Sequence, residues 1–308
     1  ALISAGLCLV VFDLVLSGGT AVNRITNADH WQRLSGAARY VLDTTADGAG
    51  RVFSLAGGKE GDIVAGLGQY VPSLHRLHAA SGHASPLRLA RYDALMHQAH
   101  PLVMLAATGS RFVINKGRLS GDAEAILPLV YQDDEWYVYQ NPNTAPRAHI
   151  VHQAQHVSGV EAALASLRQA SFDPRREVIL EETQELPLPA PTAPLSNEEV
   201  TFIRDEPEWV EIQVALSEPG YLVLLDNHYP GWQSWVDGQP VEILRANLFA
   251  RAVYLEAGPH SLVFAFRPLS FWLGLGVSGA GTMLLLGLTF WGREARTDVV
   301  CRTRSSTR

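Results

Sequence analysis

Residues 221–268 read YLVLLDNHYPGWQSWVDGQPVEILRANLFARAVYLEAGPHSLVFAFRP, and this stretch decides the fold. Short runs of β-forming residues are separated by turn signals, which are YPG at 229–231, DG at 237–238 and GP at 258–259. Leu262, Phe264 and Phe266 then alternate with smaller residues. Period-two patterning with a turn every ~8–12 residues is typical of an antiparallel β-sandwich or barrel. We therefore predict an antiparallel β-sandwich over residues 198–267.

A long uncharged segment follows the last of these strands directly. No residue from 269 to 292 carries a charge, and this length exceeds the ~20 residues that a helix needs to cross a bilayer. Trp272 and Trp291 lie near its two ends, where interfacial anchors are expected. We predict a transmembrane helix over 269–292, attached to the β-sandwich without a linker.

The other end of the chain is apolar as well. Residues 1–17, ALISAGLCLVVFDLVLS, are apolar except for Asp13. They lack the basic start of a signal peptide, and their length is at the lower limit for a span. We expect the end of a truncated transmembrane helix, and hence a C-terminal fragment of a longer multi-pass protein. The alternative is a buried N-terminal helix.

Charge is distributed unevenly along the chain. The formal net charge is -7. The tail at 293–308 carries five Arg against Glu294 and Asp298, a net +3, so the remainder carries -10. A region this acidic is a poor partner for nucleic acid, and we expect none. The basic tail predicts a cytoplasmic C-terminus, which places residues 20–267 outside the cytoplasm of a cell-membrane protein.

The region before the predicted sandwich mixes helix and strand patterns. Period-two runs predict strands near 51–55, 111–115, 136–140 and 177–182. Ser158 and Glu161 have the spacing of a capping box, which predicts a helix to about residue 169. Residues 183–197, TQELPLPAPTAPLSN, hold four Pro and no apolar period. We predict an α+β domain over 20–182, joined to the sandwich by a Pro-rich linker at 183–197.

Histidine pairs at 75/78 and 97/100, with further histidines at 149, 152 and 156, have spacings that can present two imidazoles to zinc. No H-E-x-x-H motif accompanies them, so we interpret them as scattered histidines and expect no metal or other cofactor in this fragment. The sequence also has no G-x-S-x-G elbow and no evident pair of catalytic carboxylates, and we assign no catalytic residue.

A group of aromatic and polar residues is the candidate carbohydrate site. Aromatic faces stack on sugar rings, and carboxylates or amides bind sugar hydroxyls. The candidate residues are Asp226, Tyr229, Trp232, Trp235, Asp237 and Asn247. The alternative is that Trp232 or Trp235 closes the end of the core. Since Val236 is the better core residue, we expect Trp235 to be partly exposed and to contact a sugar, a lipid headgroup or another part of the full protein.

Three stretches together resemble a known family. They are VYQNPNTAPRAHIV at 138–151, FDPRREVILE at 172–181, and LLDNHYPGWQSWVDG at 224–238 with RANLFARAVYLEAGPHSLVFAFRP at 245–268. RFVINKG at 111–117 adds to the likeness. These stretches resemble the C-terminal part of bacterial YfhO-type polytopic membrane proteins, and the resemblance covers essentially the whole chain.

The resemblance implies a design similar to GT-C-type glycosyltransferases. Those enzymes take sugar from a polyprenyl-phosphate carrier at the outer membrane face, and family members are linked to glycosylation of cell-surface polymers such as teichoic acids. The implied partners are the lipid bilayer, a polyprenyl-phosphate sugar and a surface glycan acceptor. The catalytic carboxylate of such enzymes lies in an early extracytoplasmic loop that this fragment lacks. Asp13 matches an Asp that is often seen in the last span before the soluble region.

Two other functions stay open at this point. One is a noncatalytic, membrane-tethered module that binds carbohydrate or assists assembly. The other is a component of a transporter or flippase whose soluble region is structural. The part of the open reading frame that precedes this sequence discriminates between them, because an acidic pair in a first outer loop favours the enzyme.

Overall fold

The computed structural model of the protein describes residues 33–45, 50–55, 60–68, 71–81, 89–181 and 198–304. The predicted N-terminal span at 1–17 and the predicted linker at 183–197 lie outside the described residues.

The elements follow the chain in mixed order. The helices are α1 (Gly36–Thr44), α2 (Glu60–Ala65), α3 (Val71–Leu74), α4 (Ala90–Gln98), α5 (Pro101–Ala107), α6 (Gly121–Ile126), α7 (Val160–Leu167) and α8 (Leu269–Arg304). The strands are β1 (Arg51–Ser54), β2 (Ser110–Lys116), β3 (Leu129–Gln132), β4 (Trp136–Gln140), β5 (Ala148–Val151), β6 (Gln153–His156), β7 (Glu177–Leu180), β8 (Val200–Glu206), β9 (Trp209–Leu216), β10 (Gly220–Leu224), β11 (Trp232–Val236), β12 (Gln239–Val241), β13 (Leu244–Ala246), β14 (Ala250–Leu255) and β15 (Gly258–Phe266).

The described chain forms two compact units. Unit 1 takes the described residues up to Val200, together with Ala215–Asn227 and Leu244–Gly258. Unit 2 takes Thr201–Val214, His228–Ile243 and the described residues from Pro259 onward. The chain therefore passes between the units several times after residue 200, because strands from this part of the sequence contribute to both.

Unit 1 contains a four-stranded sheet in the order β1-β2-β4-β3. Helix α1 covers it with Ala37, Ala38 and Val41, which are all fully buried. The helix begins after Ser35, whose hydroxyl accepts a hydrogen bond from the Ala38 amide at 3.0 Å. This N-cap satisfies one of the amides that a helix start leaves without an intrahelical partner.

A six-stranded sheet in unit 1 has the order β5-β10-β14-β13-β7-β6. Its strands come from both sides of the predicted linker. Each of the three stretches that carry the family resemblance contributes to it, through β5, through β7, and through β10, β13 and β14. Strand β10 is buried along its whole length, and all but one residue of β14 is buried. Helices α4, α5 and α7 contribute to the same core.

Unit 2 is built on a five-stranded sheet in the order β12-β11-β15-β9-β8. The predicted Asp237-Gly238 hairpin joins β11 to β12, and both residues have positive φ, 51° and 80°, as a two-residue type I′ turn requires. Leu262 and Phe264 are fully buried, as the alternation predicted for β15 requires, whereas Phe266 is half-buried and the intervening Ala265 is buried.

Two residues, Arg267 and Pro268, lie between the end of β15 and the start of helix α8. Among the described residues, one helical segment, Leu269–Gly287, is long and apolar enough to cross a membrane, and none of that segment is buried within the structure. A helix begins at residue 269, where the transmembrane helix is predicted to start. The helix continues to Arg304, beyond the predicted end of the span at 292.

The structure confirms the predicted mixture of α and β elements with antiparallel sheets and an apolar C-terminal helix. The predicted capping box is wrong, because α7 begins after Gly159, which has φ 85°, and no side chain caps it. Glycine adopts this backbone conformation without the steric cost that Ser158 would meet there.

Candidate functional site

One end of the six-stranded sheet carries a cluster of three arginines around one carboxylate, which we call the arginine cluster: Arg51, Arg147, Asp226 and Arg251. Asp226 Oδ1 accepts from Arg51 Nη2 at 2.7 Å, and its Oδ2 accepts from Arg147 Nη2 at 2.9 Å. Arg51 also donates to the Leu225 carbonyl at 2.6 Å. Arg251 is buried and donates to the Asn227 carbonyl at 3.1 Å.

Strand register explains why these residues meet. Leu224 lies opposite Ala148 of β5 on one side and opposite Arg251 of β14 on the other. The residues just beyond this row, Arg147 before β5 and Asp226 after β10, therefore lie at the same end of the sheet. The backbone continues the pairing there, since the Leu225 amide donates to the Arg147 carbonyl at 2.8 Å.

The arginine cluster keeps Asp226 ionised. Burial raises the pKa of this carboxyl, but the hydrogen bond and charge of Arg147, followed by the charges of Arg51 and Arg251, lower it by more. The net result is a pKa below the usual aspartate value. The carboxylate is thus committed to neighbouring guanidinium groups, so the structure gives Asp226 an electrostatic role within unit 1.

Asn247, the other candidate residue in unit 1, is also a structural residue. It is fully buried with φ 47°, and its Oδ1 accepts from the Ile179 amide at 2.9 Å. The Asn247 backbone N–H donates to the Ile179 carbonyl at 2.9 Å. The side chain thereby extends the pairing of β13 with β7 and has no exposed face for a sugar hydroxyl. Asparagine tolerates the left-handed conformation that this position needs.

His149 of β5 is buried between two backbone carbonyls. Its Nδ1 lies 3.0 Å from the Pro146 oxygen, and its Nε2 lies 2.8 Å from the Pro174 oxygen. A neutral imidazole carries one N–H, so it donates to one of the two. Burial lowers the pKa of His149, and the carbonyl bonds and the charge of Asp173 offset part of that decrease.

We expect His149 to make the protein less stable in acid. Since its pKa is lower in the folded state, the unfolded state binds the proton more readily. The stability is therefore complete above the ordinary histidine pKa of ~6.5, and it falls with pH below that value by at most ~1.4 kcal/mol per pH unit. Chemical denaturation of wild type and His149→Gln as a function of pH measures this difference. The exposed His97→Gln is the control, and equal pH profiles for wild type and His149→Gln would contradict the expectation.

In unit 2, three rings form an aromatic cluster at the end of the sheet where α8 begins: Tyr229, Trp232 and Phe266. The Tyr229 and Phe266 ring centroids are 5.3 Å apart, and those of Trp232 and Phe266 are 5.4 Å apart. Gly231 makes this approach possible with φ 109°, since a Cβ there would lie 2.6 Å from the Phe266 ring. Two predicted site residues, Tyr229 and Trp232, are therefore in one cluster.

Trp235 lies on the opposite face of β11 from Trp232. It is half-buried, and the Arg267 guanidinium lies 5.3 Å from its ring centroid. This distance is typical of a cation–π contact. Trp235 stands opposite Val263 in β15, whereas Arg267 follows the end of that strand. The arginine side chain therefore turns back along the sheet to reach the ring.

Asp237, the last predicted site residue, stabilises the hairpin between β11 and β12 by bonding to β15. Its carboxylate accepts from the Ser261 amide at 2.9 Å and lies 2.7 Å from His260 Nδ1. These two contacts, in that order, lower its pKa. Asp237 is five positions beyond Trp232, which in an extended strand corresponds to about 17 Å. Within unit 2 the structure thus separates Asp237 from the aromatic cluster, and the carbohydrate site stays a prediction centred on Trp235.

Sequence reasoning missed a cavity of about 450 Å³ in unit 1. Its size lies within the range of small-molecule sites. Its lining is mostly polar and consists of Leu42, Asp43, Thr45, Gly50, His75, Arg76, Leu77 and His78. The buried His75 Nε2 has no hydrogen-bond partner in the structure. The paired spacing of His75 and His78 was the sequence signal that could have pointed to this cavity. No group of three or more metal-binding side chains occurs within the described ranges.

Comparisons of this chain with family models, with curated proteins and with solved structures gave no match.

Proposed function

We propose that the chain is the extracytoplasmic C-terminal region of a multi-pass membrane protein of the YfhO type. In this proposal the full protein transfers sugar from a polyprenyl-phosphate carrier to a cell-surface polymer, with the cytoplasmic side marked by the basic tail. The region of this chain holds the glycan close to the membrane surface. Catalytic residues belong to the part of the protein that precedes it.

The observation that carries the proposal is the direct connection of a β-sheet unit to an apolar helix. Phe266 ends β15, and α8 begins at Leu269. Most of the side chains at the start of α8 are exposed, including Phe271 and Trp272. Apolar surface of this extent needs a bilayer or a partner helix to cover it. A unit tied so closely to a membrane is suited to substrates that are themselves held there.

The arginine cluster supports the family resemblance independently of the helix. Arg147, Asp226 and Arg251 belong to the stretches quoted for the resemblance, although they are far apart in the sequence. They meet at one end of the six-stranded sheet through hydrogen bonds and strand register. Residues of a shared pattern that converge in space are expected when the pattern maintains one structural feature.

Trp235 tests the glycan role. We expect Trp235→Ala to lower transfer of sugar to the surface polymer, or binding of a polyprenyl-phosphate sugar by the protein in nanodiscs, by about tenfold, which corresponds to ~1.4 kcal/mol. Loss of an aromatic contact has this order of magnitude. Trp fluorescence on addition of the lipid-linked sugar reports the binding, and surface glycan labelling in cells reports transfer.

Trp209→Ala is the matched control, because Arg204 covers the Trp209 ring at 5.2 Å in the same unit. The control should leave binding and transfer unchanged. If both variants lose function equally, or if Trp235→Ala unfolds the protein and no glycan changes the fluorescence of the wild type, Trp235 is a structural residue and its assignment to the glycan fails.

A noncatalytic carbohydrate-binding or assembly module is the second candidate. It needs no catalytic group in this chain, and the two carboxylates predicted for the site are both engaged: Asp226 binds arginines, and Asp237 binds His260 and the Ser261 amide. Carboxylates so engaged are not poised for acid–base chemistry. Glycan binding without transfer by the full-length protein would select this candidate.

A further inference from the structure

The joint between β15 and α8 fixes one end of the five-stranded sheet of unit 2 close to the start of the apolar helix. Three steps of at most ~3.6 Å separate the Cα atoms of Phe266 and Leu269, so these residues lie within about 11 Å of each other. The loop before β11 touches the same joint. The Arg267 amide donates to the Gly231 carbonyl at 2.7 Å, and a Cβ on Gly231 would lie 3.2 Å from Pro268 Cα.

The side chains around this joint change from apolar to amphipathic. Leu269 and Trp272, at the start of α8, are 70% and 62% exposed. Tyr229 and Trp232, beside the joint, are half-buried, and Pro230 at the loop tip is exposed. Tyrosine and tryptophan combine an apolar ring with a polar edge and concentrate at membrane–water interfaces. The side chains thus change from apolar on α8 to amphipathic beside the joint, which is the order expected from the hydrocarbon core of a bilayer to its headgroups.

Arg267 points away from the apolar helix. Its backbone belongs to the joint, but its guanidinium lies over Trp235, whose strand partner is Val263. Arginines near the ends of membrane helices place the charged group toward the headgroups and water in the same way. The guanidinium therefore marks a level above the aromatic cluster, on the side away from α8.

From this geometry we propose that the five-stranded sheet of unit 2 stands on the phospholipid headgroup layer through a membrane foot, which consists of the aromatic cluster, Pro230 and Arg267. The occupant of this surface is the bilayer itself. The proposal rests on the membrane tether and not on the glycan role. It places Trp235 just above the headgroups, the level at which a sugar on a lipid phosphate stands.

Single spin labels at two sites that flank β11 test the foot. Cys8 and Cys301 are replaced with Ser, and a nitroxide is attached to Pro230→Cys or to Gln239→Cys in the full chain, reconstituted in phosphatidylcholine vesicles. Both native residues are exposed. The strand between these sites spans Trp232 to Val236, about 13 Å. The ratio of collision rates with oxygen and with an aqueous nickel complex reports depth.

We expect the oxygen-to-nickel ratio at residue 230 to be several-fold higher than that at residue 239. It should also be lower than the ratio for a label at Ser278, inside the apolar segment. Equal ratios at 230 and 239 overturn the foot. Protection of residue 230 from nickel by an added oligosaccharide in detergent, without lipid, also overturns it and makes the loop a sugar surface.

A second measurement leaves the loop unlabelled. Brominated phosphatidylcholine quenches tryptophans near the bilayer, so Trp232→Phe should remove a clear part of the quenched fluorescence. Trp136→Phe is the control, because Trp136 is buried in unit 1 and should contribute little to the quenched part. If the two variants lose equal parts, Trp232 lies away from the lipid and the foot is wrong. This result would leave the glycan assay on Trp235 unaffected.

Discussion

Asp226→Asn should lower the free energy of unfolding of the protein by about 3–5 kcal/mol, as expected when a largely buried ion pair loses one partner. The side chains of Asp226, Arg51 and Arg147 are only 17%, 14% and 21% exposed. Asparagine keeps the size of the side chain but removes the charge that balances the guanidinium groups. Chemical denaturation, together with hydrogen exchange of the β10 amides, measures the change in unit 1.

Asp62→Asn provides the comparison. Asp62 pairs with Lys116 at 2.8 Å in unit 1, where these side chains are more accessible to water. A pair of this kind contributes ~0–1 kcal/mol, so the control should lie close to wild type. Equal small effects of Asp62→Asn and Asp226→Asn would show that water screens the arginine cluster and that Asp226 has no special role.

Phe264→Ala should lower the free energy of unfolding by about 3–5 kcal/mol through loss of apolar contacts and the resulting cavity. Phe264 is fully buried in the middle of β15, opposite Ser234 of β11. Its removal affects the central strand of the five-stranded sheet. Hydrogen exchange of the β15 amides in the full chain assigns the effect to unit 2.

Ile203→Ala is the control in the same sheet. Ile203 lies in β8, and half of its surface is exposed. Truncation of an exposed side chain usually changes stability by ~0.5 kcal/mol or less. A change below ~1 kcal/mol for Phe264→Ala would mean that this face of β15 is accessible to water and that the register assigned to the strand is incorrect.

Local features of the fold were predictable because their causes are local. The Asp237-Gly238 pair supplies the two positive φ angles of the hairpin, and the alternation through Leu262 and Phe264 predicts which face is buried. The start of α8 follows from the loss of charge after Pro268. Each of these inferences needs only residues that are neighbours along the chain.

The partners in the arginine cluster were not predictable in the same way. Arg147 and Asp226 are 79 residues apart, and Arg51 and Asp226 are 175 apart. No periodicity carries information about such pairs. Alternation places Arg251 on one face of β14 with Val253 and Leu255, but it does not show that this central strand is covered on both faces. Similarly, Asn247 looks like a polar ligand in the sequence and is a fully buried backbone mimic in the structure.

The division of the chain at the Pro-rich segment illustrates another limit. Composition indicates a break near 183–197, and the predicted domains, 20–182 and 198–267, separate the strands on either side of it. The six-stranded sheet instead combines β5, β6 and β7 with β10, β13 and β14. Pairing between strands that are distant in the sequence leaves no local pattern, so periodicity does not show which strands share a sheet.

The two-residue joint between β15 and α8 also limits how the five-stranded sheet can move relative to the helix. A flexible linker lets a domain explore a volume that grows with linker length, whereas this joint has almost no length and is bonded to Gly231. Any tilt of the helix becomes a tilt of the sheet. In the membrane arrangement proposed above, the five-stranded sheet would therefore search for ligands by lateral diffusion, at a nearly constant height above the bilayer. For the proposed glycan role, the height of a sugar above its lipid carrier would then be a criterion of selection, before any side chain recognises the sugar.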